Sequence, residues 1–175
     1  MKKLLFLLIF FLVGCSTKNY ILPSTTTPLI KHKSVQIGVK EVEVPEYLLD
    51  NKFIIEDGVE AKELNVVFVE SLDRLLTKKT IDILKESLNN PNVFLYPWEV
   101  KEKKGYIISI KIDDFKYSNG KAILKGSYKI YNVLTKKEYI KNFRLTKTSK
   151  ATKKDLVMSL NGLYKKVVLD IAQKI

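Results

Sequence analysis

The 175-residue chain has one cysteine, one histidine, one tryptophan and two arginines, and each shortage removes a class of function. With His32 alone, neither a Ser-His-Asp triad nor a histidine-rich zinc site can be assembled. With Cys15 alone, no disulfide can form within the chain, so packing must hold the fold together. The seven glycines are dispersed, which excludes a glycine-rich phosphate loop; Gly58 and Gly120 suit turns instead. Ser71 and Ser109 have no base to activate them. Asp113-Asp114 is the most tempting acid pair, but strand neighbours face opposite ways, so it is expected to flank a bend. These shortages predict a protein that is not an enzyme and holds no metal or cofactor.

Charge is the next constraint. The formal net charge is +12, yet Arg74 and Arg144 are the only arginines among 31 basic residues. A nucleic-acid binder favours a concentrated patch with arginine for bidentate contacts and aromatics for stacking. Here lysines are scattered through every segment, which reads as a solvated surface and no nucleic-acid partner. A weak attraction to anionic lipid headgroups is the sharper reading of the same charge.

What the chain does have begins at its N-terminus. Lys2 and Lys3 precede an apolar run from Leu4 to Val13, followed by Gly14, Cys15 and a polar exit. That order is a secretory signal, too short for a span of about 20 apolar residues. The tetrad Leu12-Val13-Gly14-Cys15 resembles the lipobox of bacterial lipoproteins. The resemblance implies cleavage before Cys15, a diacylglycerol on its thiol and an N-acyl chain on the new amine. A single acyl chain binds a membrane marginally, whereas two anchors hold stably. Ser16, where inner-membrane retention would place Asp, points by the same resemblance to the outer membrane, periplasmic face.

The rest divides into a tether and one domain. Residues 15–33, with Pro23 and Pro28, read as a lipidated, flexible tether holding at most one short strand. From Ser34, Val35, Ile37 and Val39 alternate, slip phase at Lys40-Glu41, and resume at Val42 and Val44 before Pro45. Asp57-Gly58 between two short strands marks a hairpin. Leu72, Leu75, Leu76, Ile83, Leu84 and Leu88 form a helical stripe stopped by Asn89-Asn90-Pro91. Val93-Phe94-Leu95-Tyr96 reads as a strand, and three longer strands forming a meander follow from Ile108 to Thr146. Thr152 to Asp155 resembles a capping box opening a last helix. The expected class is α+β: two layers, a mostly antiparallel sheet with two helices packed on one face, in a single domain from 34 to 175.

Two strand ends carry prolines beside aromatics. Pro45 and Tyr47 at one, and Tyr96 and Trp98 around Pro97 at the other, are candidate partner-contact residues, since Tyr and Trp lead among binding hot spots. Covering the end of the sheet is the equally weighted alternative.

The same residues carry a family resemblance. Ile37-Gly38-Val39, Val44-Pro45-Glu46-Tyr47-Leu48, Phe68-Val69-Glu70-Ser71-Leu72 and Val93-Phe94-Leu95-Tyr96-Pro97-Trp98 fall in order behind the lipobox. Together they resemble the ABC-type transport auxiliary lipoproteins of the PqiC/YmbA type. The chain departs from that pattern at Phe68, where Trp is common, and at Asn51 and Glu56, where Arg is. The resemblance implies a non-enzymatic outer-membrane lipoprotein serving an ABC-type lipid transport system. Its implied partner is an MCE-domain (MlaD/PqiB-like) protein, its implied role the support of envelope integrity, and it leaves room for a homo-oligomer. Two other readings stay open: a structural lipoprotein for lipopolysaccharide or β-barrel assembly, and a carrier holding acyl chains between helix and sheet.

Overall fold

The computed structural model describes residues 18–24, 26–97 and 104–175. Leu12, Val13, Gly14, Cys15 and Trp98 therefore lie outside the described residues. The strands are β1 (Ile37–Val39), β2 (Lys52–Asp57), β3 (Glu60–Asn65), β4 (Val93–Leu95), β5 (Tyr106–Ser118), β6 (Lys121–Asn132) and β7 (Glu138–Thr148). The helices are α1 (Glu46–Leu49), α2 (Leu72–Leu88) and α3 (Lys153–Lys174).

β5 is the spine. Its alternation buries Ile108, Ile110 and Ile112 and turns Lys111 and Asp113 outward. The register against β6 slips between Ile112 and Asp114, so the buried side changes parity and Phe115 points inward. Asp113-Asp114 thus flanks a bend, as the sequence suggests. β6 and β7 follow as the expected antiparallel meander. Gly126 sits where β5, β6 and β7 crowd together. A Cβ there would lie 2.2 Å from the Lys111 carbonyl oxygen and 2.7 Å from Phe143 Cζ, so no larger residue fits.

The other edge of β5 is shared between two strands. β1 runs parallel along Tyr106–Ile108, β2 runs parallel along Lys116–Ser118, and Glu43 bridges Lys111 between them. β4 pairs in parallel outside β1, and β3 pairs antiparallel outside β2. The longest ladders are antiparallel as expected, but the seven-stranded sheet is mixed. The β2–β3 turn is centred on Gly58-Val59, one residue later than expected, with Gly58 at φ +63°.

α2 and α3 cover one face. Leu76, Leu84 and Leu88 of α2 and Leu156, Leu160, Leu163, Val167 and Ile171 of α3 are buried in one core with the inward residues of β1, β5 and β6. Each such side chain contributes about 1.5–3 kcal/mol through burial. The helices are joined where Thr80 Oγ1 meets the Tyr164 hydroxyl at 2.7 Å; burial holds that phenol well above its ordinary pKa. Thr152 caps α3 by accepting from the Asp155 amide. Asn89 closes α2 in the left-handed conformation, its φ +43°. The α+β class, with two long helices on one face, is the architecture expected.

The described residues among 18–33 (18–24 and 26–33) differ most from expectation. Read as a flexible tether, they lie along the helices as a strap. Tyr20 bridges Phe68, its amide donating to the Val67 oxygen at 2.8 Å. The Pro23 oxygen accepts from Lys79 Nζ and Asn161 Nδ2 at 2.9 and 3.1 Å, and the Thr26 oxygen from Lys165 Nζ. Further on, the Ile30 and Lys33 amides donate to the Ser87 and Leu88 oxygens. Those carbonyls belong to the last turn of α2 and have no partner within the helix. Leu22 and Ile30 add apolar contact with the core.

Candidate docking surface

The two proline-marked strand ends are treated differently by the fold. Pro45 is the N-cap of α1, and its oxygen accepts from the Leu48 amide at 3.0 Å. The short helix turns Tyr47 back over the β5 bulge. There its hydroxyl donates to Asp114 Oδ1 at 2.9 Å and accepts from the Phe115 amide at 2.8 Å. Burial raises the Tyr47 pKa above its ordinary value, with Asp114 adding to the shift. Tyr47 is thus half-buried and committed to holding the bulge.

Asp114 is also 3.7 Å from Lys116 and 3.8 Å from Lys125, while Asp113 faces Lys111 at 3.6 Å. The two carboxylates have separate partners. Lys116 also pairs with Glu56, whose carboxyl that hydrogen bond keeps below its usual pKa.

At the other end the side chains face outward. Among the described residues, β4 is an edge strand, paired on one side only, by β1. Phe94 and Leu95 are exposed, and the Tyr96 amide donates to the Val39 oxygen at 2.7 Å before a cis Tyr96–Pro97 bond. Lys85 Nζ lies 5.7 Å from the Phe94 ring centre and Lys40 Nζ 5.8 Å from that of Tyr96. Between β4 and α2 opens a groove of about 440 Å³ lined by Glu41, Arg74, Thr77, Lys78, Ile81 and Leu95. Its floor is apolar at Ile81 and Leu95, and its rim carries both signs of charge, with Arg74 Nε 4.0 Å from Glu41. An apolar centre with a charged rim is the anatomy of a protein-binding surface.

Of the four candidate contact residues, Tyr96 borders this surface, Pro45 caps α1, Tyr47 holds the bulge, and Trp98 lies outside the described residues. Phe94, Leu95 and Ile81 were missed by sequence reasoning. The signal that could have found the first two is a three-residue strand bounded by Asn92 and Pro97, which is short enough to be an edge.

Elsewhere the surface offers little chemistry. Among the described residues, no group of three or more His, Cys, Asp and Glu could hold a metal ion. His32 Nδ1 is 2.9 Å from Asn89 Nδ2, at the end of α2. No helix among the described residues is long and apolar enough to cross a membrane. Between sheet and helices, the buried side chains of α2, α3, β1, β5 and β6 join in one core.

A mixed sheet backed by two helices, with the edge strand β4 beside a groove, is the class of domain that the described residues define. Residues 20–172 match the family model of the ABC-type transport auxiliary lipoprotein component, and the chain belongs to that family. Membership places it among membrane-anchored lipoproteins of the cell envelope that are associated with ABC-type transport. No match is found among curated proteins.

Solved structures share the fold. A crystal structure of an uncharacterized protein superposes with a TM-score of 0.69 at 18% identity, covering 89% of this chain and 96% of that one. Protein XCC0632 from Xanthomonas campestris gives 0.64 at 10% identity, covering 90% and 91%. Hypothetical protein CT253 from Chlamydia trachomatis gives 0.50 at 7% identity, covering 78% and 96%. At these identities the likeness is one of fold.

Proposed function

We propose that this lipoprotein is held by acyl chains on Cys15 in the outer membrane, on its periplasmic face. There it docks the MCE-domain protein of an ABC-type lipid transporter. Its role is contact without catalysis: it gives the transporter a fixed point on the far membrane and so supports envelope integrity. The observation that carries this reading is the family match over residues 20–172. The open β4 edge and its groove supply the surface, since an edge strand can accept a strand or loop from a partner. The exposed Phe94 and Leu95 beside half-buried Tyr96 suit an apolar anchor.

Affinity recovery from detergent-solubilised envelope tests the proposal. The wild-type lipoprotein is expected to bring down an MCE-domain protein. The paired change Phe94→Asp and Leu95→Asp should lower that recovery roughly tenfold, the loss of a hot-spot pair. Recovery of no MCE-domain protein, with that protein present in the envelope, defeats the reading. Recovery of a β-barrel protein instead would favour outer-membrane assembly.

A further inference from the structure

The strap fixes which end of the domain meets the lipid. Had residues 16–33 been a free tether, the domain could stand about 60 Å from its anchor at full extension. Instead Tyr20 is tied into the fold on both sides, its amide to the Val67 oxygen at 2.8 Å and its oxygen to the Val69 amide at 3.1 Å. Only five residue steps separate Tyr20 from Cys15. Fully extended they span about 18 Å. A domain of this length has a radius of gyration of about 15 Å and is more than about 35 Å across. The leash is therefore shorter than the domain, which cannot turn its far end to the membrane.

The surface at the tied end is apolar. Tyr20 and Phe68 point inward as a parallel pair, so their neighbours point out. Those neighbours are Ile21, Val67 and Val69, exposed to 60%, 43% and 57%. Two chain segments thus place three β-branched side chains side by side in water. Lys18, also exposed, contributes a positive charge. Glu70, next in the chain, is neutralised by Lys78 at 2.7 Å, so it does not oppose a negative lipid surface.

We infer that Ile21, Val67 and Val69 form a membrane-resting patch, seated in the headgroup region of the bilayer that holds the Cys15 acyl chains. The inference rests on the lipid anchor proposed above and adds to it an orientation: the Tyr20 end lies down, and the end where Lys33 reaches the Ile175 oxygen at 2.6 Å points away. Three apolar side chains bind weakly by themselves, but next to an anchor they need only orient what is already bound. The β4 groove lies alongside α2 rather than at its far end, so docking would take place close to the membrane surface.

Cys15 is the sole thiol and is acylated in this reading, so an introduced cysteine can be labelled alone. Val69→Cys and Ile21→Cys would each carry an environment-sensitive fluorophore. Leu134→Cys is the control, equally apolar and 69% exposed, in the β6–β7 turn whose Val133 amide donates to the Gly105 oxygen at the opposite end. The full acylated protein is reconstituted into phosphatidylethanolamine–phosphatidylglycerol vesicles containing a nitroxide-headgroup lipid. Flotation reports the anchor, and quenching reports the orientation. Wild type should float, Cys15→Ser should not, and the labels at positions 69 and 21 should be quenched roughly threefold more than that at 134. Equal or reversed quenching in floating protein overturns the orientation and leaves the anchor standing. Wild type that fails to float overturns the anchor and this inference with it.

Discussion

The stretch from Tyr106 to Thr148 and the stretch from Lys18 to Leu95 fill two flanks of one sheet by different means. In the first, strands adjacent in sequence are adjacent in space, and each turn closes a long antiparallel ladder. In the second, β1, β2 and β4 reach β5 or one another in parallel across long intervals, and a strap runs over the helices. A non-local pairing must offset loop-closure entropy before its contacts stabilise anything. The meander can therefore hold itself, while the other flank depends on β5 already being in place. The flank that borders the proposed docking groove is thus the one more ready to open locally.

The largest effect should come from breaking the self-supporting flank at its tightest point. Gly126→Ala places a methyl group against the Lys111 oxygen, a backbone atom that cannot rotate away. We expect a loss of about 3 kcal/mol. That lowers the melting temperature by roughly 6–12 °C for a domain of this size. Adding Phe143→Leu should not restore it, because relieving the ring leaves the backbone clash. A melting temperature within about 2 °C of wild type would show that the meander tolerates a strand shift and is not the rigid partner.

Next in size is the junction between the flanks. Tyr47→Phe removes the hydroxyl that serves Asp114 and the Phe115 amide, stripping the amide of that acceptor and leaving Asp114 only its longer contacts to Lys116 and Lys125. The cost should be about 2 kcal/mol in urea denaturation. MCE recovery by folded protein should be unchanged, since this tyrosine faces the bulge. A fall in recovery without a fall in stability would return Tyr47 to the binding surface.

A smaller effect ties α3 to the meander. Asp170 accepts from Lys141 at 2.7 Å and from Tyr128 at 2.6 Å. Burial pushes its pKa up, but the hydrogen bonds from Lys141 and Tyr128 outweigh burial and hold it below the ordinary value. A depressed carboxylate stabilises the fold above the unfolded-state pKa, near 3.9, and that stability is lost as pH falls through the lower native value. Asp170→Asn should cost about 1 kcal/mol at neutral pH and flatten the acid limb of the stability curve. An acid limb of wild-type steepness would place the proton-linked group elsewhere.

The same contrast explains what the sequence reveals. Ile108, Ile110 and Ile112 announce β5 because burial on one face forces a period of two. Thr152 and Asp155 announce the start of α3 because capping is a local event. The parallel pairing of β1 and β2 on one edge of β5 leaves no such mark, since nothing near Ile37 or Ile54 names a partner over 60 residues away. Tyr47 and Tyr96 look alike beside their prolines, yet the first finds its hydrogen-bond partners at Asp114 and Phe115. The strap reads as a tether because its hold comes from backbone groups and helix side chains distant in sequence, which leave no local pattern. A signal was present: Lys79 lies four residues from both Leu75 and Ile83, and Asn161 adjoins Leu160. A polar group inside an apolar stripe needs a partner, and here the partner is the Pro23 oxygen.

The smallest effect should be the most selective. Asn161→Ala deletes one of the two donors on the Pro23 oxygen, a loss of about 1 kcal/mol taken alone. It also removes Asn161 Oδ1, which is buried without a hydrogen-bond partner, and that gain offsets much of the loss. Global stability should therefore move by less than about 1 kcal/mol, with Lys79 and Lys165 still holding the strap. Local stability should not be spared. The Tyr20 and Val69 amides, which bond across the strap's first bridge, should exchange hydrogen roughly threefold to tenfold faster, while those of β5 and β6 stay unchanged. If all of these amides quicken together, the strap opens only with the whole molecule. The two flanks would then be one cooperative unit, with the strap held as firmly as the core.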